Sequence, residues 1–268
     1  MQKIVFAGAG SMAEAIIQGW VKKGVVSPDS IHVMNKSNKE KLQTLATNFG
    51  VHVVTNCNDI LPQAQLVILA MKPKDVVRGM TDIAPLLNEN CAILSIVAGT
   101  SIEKIQSVLG QRPVARVMPN TSATIGMSAS GITFSTQVTE ILKKTFMEML
   151  QAVGIVFEVK EDELHAITAL SGSGPAYLYY LVEAFEQAAM KYGLPRETVR
   201  ALAVQTMAGA AEMLKQSDEE PADLRRKVTS PGGTTAAGIQ ALEAHHFKDA
   251  IESCIDEATK RSKELAHQ

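Results

Sequence analysis

Residues 3–13 read KIVFAGAGSMA, and the reading of this stretch decides the fold. Residues 4–7 are a strand-length apolar run, two glycines follow at once, and apolar positions at helical spacing begin at Met12. A GxGxxA pattern set between a strand and a helix is a dinucleotide fingerprint. Gly8 makes the tight turn, Gly10 lets the backbone approach a pyrophosphate, and the small side chain of Ala13 lets the helix pack on the strand. Ala9, Ser11 and Met12 complete the loop.

Further along, short apolar runs at 31–34, 51–54, 66–70, 92–97, 114–117, 131–134 and 155–158 alternate with helix-length segments. Those segments are 12–23, 39–48, 74–87, 102–109 and 138–152. Such alternation predicts an α/β Rossmann-like domain over residues 1–160, a mostly parallel, doubly wound sheet with helices on both faces. Past Glu161 the strand signals stop, so residues 161–268 read as an all-α second domain. Pro175, Pro195 and Pro221 suit the first turns of helices, where a missing N–H costs little. Segment 176–190 is apolar on nearly every side and needs neighbours all round. A compact monomeric bundle would supply them, but a helical domain of about a hundred residues supplies them poorly, so a homodimer is the expectation.

A chain of 268 residues with 46% hydrophobic content has room for two domains and a substantial core. Its net charge of -2, with both signs interspersed, offers no electrostatic footprint for nucleic acid or an anionic membrane. Small-molecule partners fit better. Cys57, Cys91 and Cys254 are far apart and match no metal spacing, which points to a reducing cytoplasmic compartment. Neither a transmembrane span nor a basic, cleavable leader is legible.

In open parallel sheets ligands bind beyond the carboxyl ends of the strands, so the residues just after each run are the candidates. After the second run stand Asn35, Lys36 and Ser37, with no carboxylate to bind a ribose 2'-hydroxyl. Neutral polar groups and a cation leave room for a 2'-phosphate, so NADPH is expected, although Lys36 also reads as an ordinary solvated lysine. Ala70, Met71, Lys72 and Pro73 follow the fourth run; Ser95, Ile96 and Val97 end the fifth; Asn120 lies in VMPNTSA after the sixth. Each is equally a generic strand-to-loop transition when read alone. At 228–238 the chain reads VTSPGGTTAAG, in which Ser230, Gly232, Gly233, Thr234 and Thr235 lead into a helical pattern. That is an anion cradle or a capped turn. His245 and His246 are adjacent and point apart on a helix, and Asp218 in the acidic turn 218–220 reads as a helix-start signal. No metal site and no acid–base constellation is evident, so the chemistry needs little from side-chain acids.

Together GAGSMA, AMKP, SIVAG, VMPNTSA, SGSGPAY and VTSPGGTTAAG resemble delta-1-pyrroline-5-carboxylate reductase over essentially the whole chain. The resemblance implies NAD(P)H-dependent reduction of pyrroline-5-carboxylate to L-proline, the last step of proline biosynthesis. It further implies a helical dimerisation domain, with dimers assembling into decamers in many members. By similarity the cofactor site falls on residues 8–13, 35–37, 70–73, 95–97 and 120. Asn56 and Asn58 flank the place of a further cofactor asparagine, which we match to Asn58. The substrate site falls on Ser230 and residues 232–235, with Thr235 on the ring nitrogen and the N–H groups of Gly232, Gly233 and Thr234 on the carboxylate. Asp218 matches an acidic position near substrate in some relatives. Three departures stand out: Ser122 where the family has proline, Met71 where valine is common, and Lys36 where arginine is usual. Lysine lacks the bidentate phosphate grip of arginine, leaving NADH as an alternative donor. Two other readings compete. A beta-hydroxyacid dehydrogenase needs a lysine in its SGSG-like helix, and SGSGPAYLYYLVEAF has none; a non-catalytic NADP-binding regulator does not need the SPGGTT loop.

Overall fold

The computed structural model describes residues 2–36 and 38–266. Among the described residues eight strands form one sheet: β1 Ile4–Ala7, β2 Ile31–Met34, β3 His52–Val53, β4 Leu66–Leu69, β5 Ala92–Ser95, β6 Val114–Met118, β7 Ser128–Phe134 and β8 Gly154–Glu158. Their order is β3-β2-β1-β4-β5-β6-β7-β8, and among the described residues only the β6–β7 pairing is antiparallel. The expected Rossmann-like sheet is therefore present. Strand order reverses between β1 and β4, which sets a crevice at the carboxyl ends of those two strands.

Helices cover both faces. Ile4 and Phe6 point to one side, where they meet α1 (Ser11–Lys22), α2 (Lys39–Phe49) and, after the intervening helices, α6 (Glu140–Gln151). Val5 and Ala7 point to the other, against α4 (Pro73–Ile83) and α5 (Ile102–Leu109), while the short α3 (Cys57–Ile60) lies between β3 and β4. The alternation is the period of two of an extended strand buried on both faces. Trp20 is fully buried, and its indole N–H donates to Met149 O at 2.7 Å, pinning α1 to α6.

Two compact units divide the chain: Met1–Pro175 with Glu257–Gln268, and Ala176–Asp256. The helical chain after β8 packs on the sheet as far as Pro175, so the first compact unit includes residues 161–175. Helix α7 (Glu163–Ile167) and a π-helical turn, Thr168–Gly172, lie on β7, where Gly131 leaves room for Ile167: a Cβ there would sit 2.4 Å from its Cδ1. The chain crosses to the second unit inside α8 (Gly174–Met190). That unit continues with α9 (Arg196–Gln216), α10 (Pro221–Lys227) and α11 (Thr234–Ala244), and the chain leaves it inside α12 (Phe247–Ala266).

Within Ala176–Asp256 only Glu186 and Val199 are buried, whereas Tyr180, Leu202 and Met213 are 74%, 59% and 60% exposed. Glu186 accepts from Arg200 Nε at 2.5 Å and from Arg196 Nε at 2.8 Å, tying α8 to α9. Hydrogen bonds from Arg200 and then Arg196 hold its carboxyl down to about 2, from an ordinary 4.5. A depressed carboxylate stabilises the fold fully above the unfolded value and loses that contribution as pH falls through the folded one. The acid limb of thermal stability between pH 4.5 and about 2 should therefore flatten in Glu186→Gln, measured by melting across that range. An unchanged slope would show that the pair contributes nothing to acid sensitivity.

Candidate functional site

In the first unit five loops leave the same edge of the parallel strands β1, β2, β4, β5 and β6. The ladder continues one residue into three of them: Gly8 N donates to Met34 O at 3.0 Å, Ala70 N to Ala7 O at 2.9 Å and Ile96 N to Leu69 O at 3.1 Å. Gly8 has φ +121°, and a Cβ on it would lie 2.4 Å from Ala70 O, so the loops after β1 and β4 touch through their backbones. Gly10 is the N-cap of α1, makes no side-chain cap, and faces open space where its Cβ would be. The first amides of α1 are therefore left without a side-chain cap beside an open position, the arrangement in which a helix N-terminus can take an anion. Ala13 is fully buried against the sheet, and Ala9 is buried beside it. Ser11 is exposed at the first turn, and Met12 packs on the core.

The neighbouring loops are held by their own side chains. Asn35 Oδ1 accepts from Asn38 N at 3.2 Å, and Asn38 caps α2 by accepting from Lys41 N at 2.8 Å. Lys36 is exposed on that turn; Ser37, the third residue expected there, lies outside the described residues. Lys41 Nζ pairs with Glu14 Oε2 at 2.5 Å and ties the first turns of α2 and α1 together on either side of this loop. Sequence reading missed that pair. Met71 is half-buried with its Sδ over Gly79 of α4, where a Cβ would lie 2.4 Å away, so the missing Cβ makes room for this longer side chain. Lys72 is the exposed N-cap of α4, and Pro73 opens it. Ser95 is fully buried, Val97 is buried and Ile96 half-buried; Ser95 Oγ accepts from Val97 N at 3.3 Å.

Two asparagines act on the protein itself. Asn120 is buried; its Oδ1 accepts from Ser122 N at 3.1 Å, and its Nδ2 donates to Ser171 O and Oγ at 3.2 and 3.3 Å. Its amide therefore ties the MPN turn to the SGSG segment. Asn58 is exposed on α3, and both its N and its Nδ2 donate to Asn56 Oδ1 at 3.1 Å, which makes Asn56 the helix cap.

In the second unit Ser230, Gly232, Thr234 and Thr235 are exposed and Gly233 half-buried. Gly232 turns the chain with φ +70°, and Gly233 is the N-cap of α11 with no side-chain cap. One expected donor is already used: Gly233 N closes the turn on Ser230 O at 3.0 Å. The amides of Gly232, Thr234 and Thr235 are the ones this geometry leaves for an anion. Asp218 is exposed in the turn between α9 and α10. Among the described residues no three His, Cys, Asp or Glu side chains come together to hold a metal ion, and no helix is long and apolar enough to cross a membrane.

The backbone contact at Gly8 generates a direct test. Gly8→Ala puts a methyl group against a carbonyl that cannot move without shifting β4, in a conformation that L-residues rarely adopt. Dinucleotide affinity should fall by at least about a hundredfold, and stability by about 2 kcal/mol or more, read by ligand titration and urea unfolding. Retention of both would mean that the two loops are not in contact.

Known proteins agree with this layout. A family model described as pyrroline-5-carboxylate reductase dimerisation matches residues 161–265, and one described as NADP oxidoreductase, coenzyme F420-dependent, matches residues 3–99. Pyrroline-5-carboxylate reductase 2 of Bacillus subtilis (strain 168) is 44% identical over 269 residues, covering 100% of this chain and 96% of the relative. Pyrroline-5-carboxylate reductase of Staphylococcus haemolyticus (strain JCSC1435) is 38% identical, covering 98% of both. Among solved structures, a pyrroline-5-carboxylate reductase from Coxiella burnetii superposes with a TM-score of 0.91 at 34% identity, covering 98% of each chain. The NADP-bound pyrroline carboxylate reductase of Plasmodium falciparum gives 0.88 at 29% identity, again over 98% of each. With both glycine loops in place and identity of this extent from end to end, the chain belongs to the pyrroline-5-carboxylate reductase family.

Proposed function

We propose that this chain reduces L-1-pyrroline-5-carboxylate to L-proline, the last step of proline biosynthesis, with NADPH as donor and NADH as the alternative. One observation carries the reading: a single chain holds two glycine loops that each leave a helix N-terminus uncapped, α1 behind Gly10 and α11 behind Gly233. At the first, the missing Cβ of Gly10 would let a pyrophosphate approach the backbone, and the second suits a small carboxylate. The NADP-bound relative supports the choice of cofactor.

An imine is already electrophilic, most of all when protonated, so its carbon accepts a hydride without metal or covalent nucleophile. NADPH supplies that hydride when bound. The chain's own residues bind and orient: Gly232 and Thr234 N–H groups would hold the substrate carboxylate, with Ser230 shaping the turn and Thr235 Oγ1 on the ring nitrogen. Asp218 stands as a further substrate-side candidate. Residues 8–13, Asn35, Lys36, Ser37, Asn58, residues 70–73, 95–97 and Asn120 would form or support the cofactor site. Holding the reactants in a near-attack geometry can supply about 7 to 11 kcal/mol of the barrier, enough for orientation to be most of the catalysis.

The exposed apolar side chains of the second unit support a homodimer in which a second copy covers them. Dimers would assemble further into decamers, as in many members of the family. Three free thiols accord with a cytoplasmic location.

Purified protein should oxidise NADPH in the presence of pyrroline-5-carboxylate, form proline and stay active with a chelator; chelator-sensitive turnover would overturn the metal-free mechanism. Thr235→Ala should lower imine turnover by about one to three powers of ten and leave NADPH affinity unchanged, because it removes an orienting bond. Loss of NADPH affinity instead would remove the loop from the substrate site. Lys36→Asp should weaken NADPH about ten- to a hundredfold relative to NADH, the size of one lost charge-assisted contact. Titration of both cofactors decides it, and equal weakening would mean that residue 36 does not meet the 2'-phosphate.

A further inference from the structure

The segment from the end of β5 to α5 carries three of the cofactor candidates, yet much of what holds it comes from distant parts of the chain. Its middle lies under the last turn of α12: Gly99 has φ +73°, and a Cβ there would be 3.1 Å from Leu265 O and 3.3 Å from Leu265 C. Beside that contact, His165 Nδ1 and Ser262 Oγ are 2.9 Å apart, joining α7 to the same helix. Its end is held by Glu161, whose Oε1 accepts from Ile102 N at 2.8 Å. Ile102 is the first residue of α5, and the capping side chain of Ser101 accepts from Lys104 N instead, so Glu161 takes an amide that the cap leaves open.

Glu161 is in turn held from beneath. The same Oε1 pairs with Nη1 of Arg116, a β6 residue whose side chain is only 7% exposed and which lies opposite Ser95 in the strand register. Without this carboxylate the buried guanidinium would lack a counter-charge, a costly arrangement that the pair avoids. The first turn of α5 is thereby tied, through one carboxylate, to the strand next to the one that presents Ser95, Ile96 and Val97.

We propose that Glu161 is a positioning residue of the cofactor site: braced by Arg116, it fixes the amino end of α5 and with it the loop 95–101. The proposal rests on the assignment of that loop to the dinucleotide. Glu161 has no reason to touch the cofactor itself; it acts through Ile102.

Three variants test it by direct NADPH titration, substrate kinetics and melting. Glu161→Ala removes both the acceptor and the counter-charge, and the NADPH dissociation constant should rise about tenfold, what one hydrogen bond to a charged group contributes to an affinity. KM for pyrroline-5-carboxylate should stay within about twofold. Glu161→Gln keeps an oxygen for Ile102 N–H, so NADPH binding should return to within about twofold of the parent although Arg116 loses its counter-charge and the melting temperature falls. A purely structural role would lower melting in both variants and leave NADPH binding unchanged in both. If Glu161→Ala does not fold, the double variant Arg116→Met with Glu161→Ala removes the stranded charge and should still bind NADPH about tenfold more weakly. Binding within about twofold of the parent in an alanine variant that folds, or a glutamine variant as weak as alanine, overturns the proposal. Failure of the pyrroline-5-carboxylate reading would appear separately, as absent turnover in the unmutated protein with the NADPH titrations intact.

Discussion

Where the strand order reverses, the backbones of residues 8 and 70 come so close that only glycine fits at position 8. The contact is between main chains, so no change of rotamer relieves it. It brings the turn after β1 against the turn after β4, while Gly8 N and Ala70 N carry the sheet ladder one residue into each loop. Loops that would otherwise be independent are thus part of the sheet at their first residue. Two residues on, Gly10 starts α1 without a side-chain cap and with nothing where its Cβ would be.

The same economy of side chains recurs around the edge. Asn38, Asn56, Ser101 and Asn120 each accept from an amide two or three residues ahead and start a helix there. At Gly10 and Gly233 no side chain does so; the same holds at Lys72, Asp162, Pro195 and Glu220, but the two glycines lack a Cβ as well. An uncapped helix start carries the full partial charge of its exposed N–H groups, which is a cost to stability unless an anion completes it. Those two starts are the ones assigned to the cofactor and the substrate.

The second unit raises a different constraint. Three helices and parts of two more bury almost none of their apolar side chains within Ala176–Asp256, and the most thoroughly buried residue there is a glutamate whose carboxylate is gripped by two arginines. Hydrophobic burial is roughly proportional to the apolar area removed from water, so a unit arranged in this way lacks the main stabilising contribution by itself. Glu186 sets how α8 meets α9 without supplying a core.

From sequence alone the run 3–13 determined the strand, the turn and the helix of the fingerprint, because a left-handed turn and a close backbone approach admit so few residues. The strands β1 and β2 and the helix 102–109 were likewise legible to the residue, since their hydrophobic period is local. Other features were decided only in three dimensions. Ile96 and Val97 continue an apolar run but leave the strand, because the loop packs on the core with Ser95 Oγ bonded to Val97 N. The chain after β8 stays with the first unit because Gly131 opens a slot for Ile167. Gly233 N is spent on its own turn, and Asn120 on Ser171 fifty-one residues away. Glu161 meets Arg116 across forty-five residues, and no period or spacing announces such a pair. Local pattern encodes what neighbours along the chain must do, whereas contacts between distant residues exist only after the sheet has placed them side by side.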